Sequence, residues 1–242
     1  MNTNLTYFIS DLHLSESTTL LNKAFDAFIA YCHAYPPKHL YILGDLFDYY
    51  LGFDVAGVWG AGLAAKIASL SELGISLFFL PGNRDFLIDK DFLRAAKLTR
   101  LNDPCVISLA DKQITLSHGD ALCTNDKYHQ RFRSLSQSYI VKSLFLCLPK
   151  SYRVRVAKKI RDAGRERSLN EHEIMPVDEV MISCMMKFKT DTLIHGHIHR
   201  PMVRCIQSKL GQFKQVVLPD WRTKAEFVVF DETTQQFQFD DL

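Results

Sequence analysis

The stretch Leu40-Tyr41-Ile42-Leu43-Gly44-Asp45 decides the fold, because a run of strand-forming apolar residues ends there directly at a glycine and a carboxylate. Residues 20–35 and 61–73, on either side of this run, have apolar side chains at helical spacing. This alternation of strands and helices predicts a sheet with helices packed on its faces. Four other apolar runs also end at short polar blocks, which are Asp11-Leu12-His13, Gly82-Asn83-Arg84-Asp85, His118-Gly119-Asp120 and His195-Gly196-His197.

The second half of the chain has two kinds of pattern. Residues 105–109 and 113–117 predict a β-hairpin, and residues 192–194 predict a further strand. Helical patterns dominate the region between them, and the tail after residue 215 predicts short antiparallel strands. We therefore predict an α/β fold with a core of residues 1–125 and 188–242 and an inserted helical cap of residues 126–187.

The composition is that of a soluble globular protein, since 47% of the 242 residues are hydrophobic and 23% are charged. A chain of this length can form one large α/β domain, alone or with an inserted cap. The six cysteines have no Cys-x-x-Cys spacing, which indicates free thiols in a reducing compartment. The first ten residues lack the basic segment of a signal peptide, and no apolar run approaches the ~18 residues of a membrane-spanning helix, so neither is expected.

The net charge of +2 conceals an uneven distribution. Residues 127–167 contain twelve lysines and arginines against two carboxylates, a charge of +10 that leaves −8 for the rest of the chain. An acidic core favours metal cations. A basic segment beside it favours an anionic substrate, an anionic membrane surface or nucleic acid.

The polar blocks contain donor atoms that suit divalent metals. Asp11 and His13 lie two residues apart at a strand end, so both side chains can point to the same side. Asp45 could bridge two cations, and Asn83 offers a neutral carbonyl oxygen. Two cations about 3.5–4 Å apart can hold a phosphoryl group and generate hydroxide at neutral pH. Imidazoles complete the candidate set at His118, His195 and His197.

Each block taken alone has an ordinary structural explanation. A histidine at a strand end is more often a hydrogen-bonded structural residue than a ligand, and one Asp-x-His sequence is a weak signal. Seven candidate ligands in one ordered series are difficult to explain in this way. Neither a zinc finger nor a Ser/His/Asp triad needs this mixture of oxygen and nitrogen donors. Other carboxylates could cap a turn or orient a histidine, namely Asp48, Asp54, Asp85 and Asp120.

The motifs Asp-x-His, Gly-Asp, Gly-Asn-Arg-Asp, His and Gly-His-x-His, in this order over residues 6–199, resemble those of the calcineurin-like metallophosphoesterases. The resemblance implies a two-sheet sandwich flanked by helices, with two divalent metal ions at the strand ends. Within this family, the chain looks like the pyrophosphohydrolases that use manganese to cleave UDP-2,3-diacylglucosamine into UMP and lipid X during lipid A biosynthesis. The similar stretches are Ile9–Leu14, Ile42–Asp48, Pro81–Ile88, Ser117–Cys123, Leu193–Pro201 and Leu218–Arg222.

The same resemblance implies a role for each candidate site residue. One metal ion would bind Asp11, His13, Asp45 and His197, and the other would bind Asp45, Asn83, His118 and His195. Catalysis is expected to depend on Asp45, Asn83, Arg84, His118 and His195. The UDP-linked diacylated glucosamine is expected to contact Asn83, Arg84, Asp126 and His195.

Arg84 predicts how the leaving group departs. Many relatives have histidine at this position, which can protonate a leaving alkoxide, whereas arginine stays charged and is no general acid near neutral pH. Arginine can, however, donate two parallel hydrogen bonds to phosphate oxygens. A phosphate monoester, whose second pKa is about 6, needs little protonation as it leaves a cleaved diphosphate. We therefore expect in-line attack of hydroxide on the nucleotide α-phosphorus, with Arg84 neutralising the developing charge.

The predicted cap combines apolar and basic residues. Residues 139–148 are densely apolar, and residues 150–161 are rich in lysine and arginine. Burial within the cap would explain the apolar residues without any further function. Alternatively, the cap shelters acyl chains and rests on anionic lipid, which implies a cytoplasmic protein bound peripherally to the inner face of the bacterial inner membrane.

The chain departs from the related pyrophosphohydrolases at several positions. Phe53 stands where an acidic residue is common, and His129 stands where tyrosine is common. These differences concern recognition of the acyl chains and the glucosamine rather than the metal centre. The serine, asparagine and lysine of the related caps have no clear counterpart here, although Arg165, Arg167, Ser168 or Asn170 could substitute for them.

Three other functions remain open from the sequence. A soluble nucleotide-sugar or dinucleotide pyrophosphatase would use the same core, and activity on short UDP-sugars would distinguish it. A nuclease would use the basic cap, but no nucleic acid is expected, because the basic residues are mixed with apolar ones and Arg84 suits a diphosphate. A binding scaffold without catalysis would be expected to lack some of the seven ligands, all of which are present.

Overall fold

Two β-sheets face each other in the computed structural model, which describes residues 4–165 and 171–242. The first sheet has six strands, which in spatial order are β11 (Gln236–Asp241), β10 (Glu226–Asp231), β1 (Leu5–Ile9), β2 (His39–Ile42), β3 (Ser76–Phe79) and β4 (Thr99–Arg100). The second sheet has five, which are β5 (Cys105–Leu109), β6 (Lys112–Leu116), β7 (Thr192–His195), β9 (Gly211–Val217) and β8 (Met202–Ser208).

The strands that carry the polar blocks run parallel within each sheet. In the first sheet, β1 pairs with β2 and β2 pairs with β3 in parallel, so that Ile9, Ile42 and Phe79 lie side by side at the strand ends. In the second sheet, β6 and β7 are also parallel. Parallel strands direct their carboxyl ends to one edge, where ligands of open α/β sheets usually bind.

Helices cover the outer faces of both sheets. Phe28, Ile67 and Phe92 come from the first three helices and are buried against the first sheet. On the second sheet, Met181 and Met185 pack with Leu193. The helices are α1 (Thr19–Ala34), α2 (Phe53–Ser71), α3 (Lys90–Ala95), α4 (Lys127–Ser136), α5 (Tyr139–Leu146), α6 (Lys150–Arg165), α7 (Glu171–Ile174) and α8 (Asp178–Phe188).

The space between the sheets is an apolar core. Phe8 and Val228 from the first sheet meet Ile194 and Val216 from the second in one buried cluster. This packing confirms the predicted two-sheet α/β architecture. The helical region from 126 to 187 is confirmed as helical where it is described, whereas its division from the core as a separate cap stays a prediction, since α8 packs on the second sheet.

Helix α2 is the one helix in the described part of the chain with the length and hydropathy needed to cross a membrane. Its side chains Leu63, Ile67 and Leu70 are buried in the core under the first sheet. These contacts are those of a core helix of a folded domain.

The sequence missed some elements and misplaced others. Helix α2 begins at Phe53 rather than at residue 61, because its first turns precede Gly57, which has a left-handed φ of 58° and interrupts the apolar spacing. The short elements α3 and β4 and the strand β8 were not predicted. The tail prediction was wrong in one respect, because β9 pairs in parallel with β7 as well as antiparallel with β8.

Candidate metal centre

The polar blocks of both sheets meet at one edge of the sandwich. The loop after β1 lies along the loop after β2, where the Asp11 N–H donates to Gly44 O at 3.1 Å and the His13 N–H donates to Asp45 O at 2.9 Å. From the second sheet, the Gly196 N–H donates to His118 O at 2.9 Å. Backbone hydrogen bonds therefore hold these loops together independently of their side chains.

Several of these loop residues have strained backbones. Asp11, His13 and Asp45 have φ angles of 55°, 49° and 53°, which is the left-handed region. Such a conformation costs about 1–2 kcal/mol for a residue other than glycine, so the surrounding contacts must hold it in place. Strain of this kind concentrates at functional sites.

The carboxylates of Asp11 and Asp45 are buried and tightly held. One oxygen of Asp11, Oδ2, accepts hydrogen bonds from the Ser10 hydroxyl at 2.5 Å and from the His197 N–H at 2.8 Å. Asp45 Oδ1 accepts the Arg84 N–H at 2.9 Å. Each carboxylate is thus held through one of its oxygens, and this also fixes the position of its second oxygen.

His118 faces the same cluster with a defined ring orientation. Its Nδ1 lies 2.9 Å from Leu43 O and donates to it, which directs Nε2 toward Asn83 Oδ1 at 2.9 Å and Asp45 Oδ1 at 3.6 Å. Burial disfavours the charged imidazole, but Asp45 and Asp11 outweigh burial and raise the pKa of His118 to about 10.

The electrostatics of the cluster fit a divalent cation. Burial raises the pKa of the Asp45 carboxyl to about 7, and burial lowers the pKa of His13 to about 3 and that of His195 to about 4. A bound cation would displace the proton from His118 and keep Asp45 ionised, because neutral imidazoles and ionised carboxylates are the forms that bind metals. In addition, the buried Nδ1 of His13 has no hydrogen-bond partner in the described structure. The donor set present therefore suits metal ions.

Two groups of side chains bring their donor atoms close enough to hold a metal. In each group the three donor atoms lie within 4.8 Å of one another. One group is Asp11, Asp45 and His118, and the other is Asp11, His13 and His199. The carboxylate of Asp11 is common to both.

The remaining predicted ligands lie around these groups. His197 Nδ1 is 3.1 Å from Asn83 Oδ1, and its ring centroid is 5.2 Å from that of His118. His195 is fully buried, with Nε2 at 2.7 Å from Gln215 Nε2 and Nδ1 at 2.8 Å from Gly196 O. Six of the predicted ligands thus lie in one region, whereas both ring nitrogens of His195 contact Gly196 and Gln215. The assignment of all seven to one cation or the other stays a prediction.

Arg84 lies at the rim of the centre and is partly exposed. Its guanidinium donates to Asp48 Oδ1 at 3.2 Å, lies 3.6 Å from Asp45 Oδ2 and packs over the Tyr49 ring. The planar group is therefore held beside the cluster with part of its surface open to a ligand. Arginine in such a position can donate to phosphate oxygens.

Asp126 has a structural contact as well as its predicted role. Its carboxylate caps α4 by accepting the His129 N–H at 2.9 Å. His129 reaches Asp120 Oδ2 with Nε2 at 3.2 Å and lies beside the His197 ring. The side chain of Arg165 and the three other candidate cap contacts, Arg167, Ser168 and Asn170, lie outside the described residues.

Sequence reasoning missed Arg133, which supports the centre, whereas it did single out Asp85. Arg133 donates to Asp120 Oδ2 at 2.9 Å and to Asp103 Oδ2 at 3.0 Å, which ties α4 to the loop before β5. Asp85, interpreted from the sequence as an orienting or capping carboxylate, accepts the N–H groups of Leu46 and Gly82 at 2.7 Å each. No signal in the sequence predicted the Arg133 contacts, which join segments 13 and 30 residues apart in the chain.

Fold and site together define a phosphoesterase, and a family model for calcineurin-like phosphoesterases matches residues 5–201. The chain belongs to this family and is a hydrolytic enzyme. It is 39% identical over 217 residues to the UDP-2,3-diacylglucosamine hydrolase of Neisseria gonorrhoeae, covering 89% of each chain. It is also 37% identical over 235 residues to the enzyme of that name from Haemophilus influenzae Rd, covering 96% of this chain and 97% of the relative.

The fold has counterparts among solved structures. An archaeal phosphodiesterase aligns over 98% of this chain and 99% of its own, with a TM-score of 0.50 and 10% sequence identity. At this identity the likeness concerns the fold alone.

Proposed function

We propose that the protein hydrolyses the diphosphate of UDP-2,3-diacylglucosamine to UMP and 2,3-diacylglucosamine 1-phosphate, which is lipid X. The single observation that carries this proposal is a buried cluster of carboxylates and imidazoles with the charged Arg84 at its rim. The names of relatives at 37–39% identity support the substrate.

We assign the metal centre to two divalent ions, and manganese is our choice among the candidates. The carboxylate and amide oxygens suit manganese, whereas the imidazoles also suit zinc and iron, so availability decides which metal is bound. The proposed ligand sets are Asp11, His13, Asp45 and His197 for one ion and Asp45, Asn83, His118 and His195 for the other. When bound, such ions activate water and neutralise charge on phosphoryl oxygens.

The chain's own residues fit cleavage at the α-phosphorus. Water attacks this phosphorus, the bond to the bridging oxygen breaks, and its electron pair leaves with 2,3-diacylglucosamine 1-phosphate, while one proton passes to solvent. Arg84 would donate to the diphosphate oxygens and offset the charge that develops on the leaving phosphate. A phosphate monoester leaves readily without a proton, so no general acid is needed in place of Arg84.

The region next to the centre supports a lipid-linked substrate. Ile140 and Leu144 on α5 are 68% and 64% exposed, and Tyr152 and Val154 on α6 are also exposed. Lysines and arginines lie among them on α6. Exposed apolar side chains flanked by basic ones suit the surface of an anionic bilayer, so we propose a cytoplasmic enzyme that binds peripherally to the inner membrane.

The bond that breaks can be identified with isotopically labelled water. The enzyme, stripped of metal and supplied with manganese, should turn over UDP-2,3-diacylglucosamine in water containing 18O and place the label in UMP. Label in the sugar phosphate, or release of UDP, would contradict attack at the α-phosphorus. UDP-N-acetylglucosamine serves as the comparison, because faster turnover of this short substrate would favour a soluble nucleotide-sugar pyrophosphatase.

Membrane association requires a separate measurement. Vesicles containing anionic lipid should bind the wild type at low salt, and binding should weaken at high salt, since exposed charges are screened over about 10 Å at 0.1 M salt. The double variant Ile140→Ser, Leu144→Ser should bind less. Leu210→Ser is the control, because Leu210 is 65% exposed in the turn between β8 and β9 and lies on neither α5 nor α6. Equal binding by both variants would contradict this part of the proposal.

A further inference from the structure

Arg133, on α4, lies between two buried carboxylates. Its Nε donates to Asp120 Oδ2 at 2.9 Å, and its Nη2 donates to Asp103 Oδ2 at 3.0 Å. The side chains of Asp120 and Asp103 are only 1% and 6% exposed, so water contributes little to their solvation. A buried charge without a partner is strongly destabilising, which means that the guanidinium is what allows two carboxylates to lie together in the interior.

Both carboxylates are attached to the polar block that begins at His118 and ends at Asp120. Asp103 Oδ1 accepts the Ser117 hydroxyl at 2.7 Å and the His118 N–H at 3.3 Å, at the start of the block. Asp120 is the last residue of the block. Arg133 therefore holds the block at both ends, and the backbone of His118, a proposed metal ligand, lies between the two contacts.

Three side chains of α4 converge on Asp120. His129 Nε2 lies 3.2 Å from Asp120 Oδ2, and Gln130 Nε2 donates to Asp120 O at 2.7 Å. Arg133 pairs with the same carboxylate. Residues three and four apart face the same side of a helix, so one face of α4 makes all of these contacts. Since the His129 ring centroid is 5.9 Å from that of His197, Asp120 sets the position of α4 beside the metal centre.

The space next to Arg133 is too small for a phosphate group. The cavity that it shares with Asn83, Asp120 and His129 has a volume of about 10 Å³, which is the space of about one water molecule. Arg133 therefore influences the centre through its partners rather than by contact with a diphosphate. Partners of this kind hold metal ligands in place, and their replacement typically costs about 10–100-fold in metal affinity or activity.

We propose that Arg133 is a positioning residue, which fixes the block from His118 to Asp120 against α4 and so holds His118 at its metal ion. The proposal rests on the metal centre of the proposed function but not on the identity of the substrate. Because α4 also carries Asp126 at its N-terminus, the same contacts set the distance between the metal centre and this predicted substrate contact. Arg133 thereby couples α4 to the loop after β6.

Manganese titrations in the absence of substrate test this role. Followed by electron paramagnetic resonance, the wild type should bind two ions, and Arg133→Met should weaken one of these sites about 10-fold. His118→Ala identifies that site, because it should weaken the same one. Arg131→Met is the matched control, since Arg131 is exposed on the same helix and its loss removes the same charge. Both affinities of Arg131→Met should equal those of the wild type, and equal affinities in Arg133→Met overturn the proposal.

Two further variants separate positioning from a general loss of stability. Arg133→Lys keeps the charge, but one ammonium group replaces the fork of the guanidinium, so the same site should still be weaker than in the wild type. Wild-type affinities in Arg133→Lys would overturn the bridging role.

The double variant Asp103→Asn, Arg133→Met leaves no unpaired charge at residue 103, so it allows the titration should Arg133→Met fail to fold. Asp103 and Arg133 act in one chain of contacts, so residues in this network should not show additive effects. The double variant should therefore lose no more affinity than the weaker of the two single variants. Losses that add would overturn the proposal.

Failure of the proposed function gives a different result. UMP release is assayed on the same wild-type preparation. If the wild type binds two manganese ions and Arg133→Met weakens one site, but no UMP is released, the positioning role stands and the proposed reaction is wrong. If UMP is released and Arg133→Met binds manganese like the wild type, the reaction stands and the positioning role is wrong.

Discussion

Arg84 is the residue whose chemistry distinguishes this centre from one that protonates its leaving group. Its guanidinium lies 3.6 Å from Asp45 Oδ2 and 3.2 Å from Asp48 Oδ1, so its positive charge is held at the rim of the cluster. Arginine at this position can stabilise a charged phosphate that leaves but cannot supply a proton to it. The nature of the leaving group should therefore decide how much each substitution costs.

Replacement of Arg84 by histidine should lower kcat for the diphosphate substrate by about 10²–10³-fold, the cost of losing one transition-state donor. Arg84→Lys should lose less, because it keeps the charge but not the paired donors. The measurement is steady-state kinetics at saturating manganese. A rate for Arg84→His above that of the wild type on diphosphates would contradict this role.

Gly44 illustrates how closely the loops approach each other. A Cβ atom at this position would lie 2.6 Å from both Gly82 N and Gly82 Cα and 2.7 Å from His118 Nδ1, and the φ angle is +86°. Neither neighbour can move freely, because Gly82 donates to the buried Asp85 and His118 donates to Leu43 O. Glycine is required here to bring two strand ends together.

Gly44→Ala should lower the free energy of unfolding by about 2–4 kcal/mol, the sum of a left-handed backbone penalty and overpacking. It should also weaken manganese binding, because the loops that carry Asp45 and Asn83 must separate. Urea denaturation measures the first effect. The control is Gly62→Ala, where nothing lies within 4 Å of the new methyl and a small gain of helix stability is expected. If Gly44→Ala and Gly62→Ala changed the free energy of unfolding equally, the close approach of the loops at Gly44 would not be the cause.

At the scale of elements, α6 is joined to the core through one buried cation. Arg153 is only 4% exposed and donates to Leu148 O at 3.0 Å, to Leu51 O and to both carboxylate oxygens of Asp54. Its guanidinium therefore ties α6 to the loop before α2 and to the first turn of α2. The hydrogen bond from Arg153 also lowers the pKa of Asp54.

Arg153→Met should lower the free energy of unfolding by about 1–3 kcal/mol, because the carbonyl of Leu51 loses its partner while the side chain keeps its length. The effect of the ion pair itself should be modest, since Asp54 is half exposed to solvent. In Arg153→Met, the backbone amides of α6 should exchange faster than those of α1. Arg155→Met, on the exposed side of the same helix, should behave as the wild type. Unchanged exchange in Arg153→Met would mean that other contacts hold the cap.

The strands that carry the site could be predicted because each combines two local signals. An apolar run such as residues 40–43 fits a buried strand, and the glycine and carboxylate that follow mark its end. Strand β8 has no continuous apolar run, because the exposed residues Val203 and Cys205 alternate with partly buried ones. Its sequence was therefore not recognised as a strand. The six residues of α3 were too few to show a helical period.

Side-chain partners in the site were less predictable than the strands. His199 repeats the two-residue spacing of His195 and His197, so the sequence contained a signal for it. Its contact with Asp220 depends on how the loop after β9 returns to Asp11, and no local pattern encodes that path. For the same reason, the Arg133 contact with Asp103 was out of reach of sequence reasoning.

At the scale of the whole molecule, the metal centre lies where the two sheets meet. Asp11 and Asp45 follow strands of the first sheet, whereas His118 and His195 follow strands of the second. Each proposed ion takes ligands from both sheets and needs the assembled sandwich, because an unfolded chain cannot present these ligands together. Metal binding and folding should therefore be thermodynamically linked.

Manganese at a free concentration 100 times the Kd of a site should stabilise the folded protein by about 2.7 kcal/mol for each ion bound, because a ligand that binds only the native state adds RT ln(1 + [L]/Kd) per site to the unfolding free energy. Thermal or urea denaturation with and without a chelator measures this difference. Asp45→Ala removes the proposed bridging carboxylate, so its stability should respond little to manganese. If manganese stabilised Asp45→Ala as much as the wild type, the stabilising metal would bind elsewhere, for example at the free thiols. The cluster at the strand ends would then not be the site through which manganese stabilises the fold.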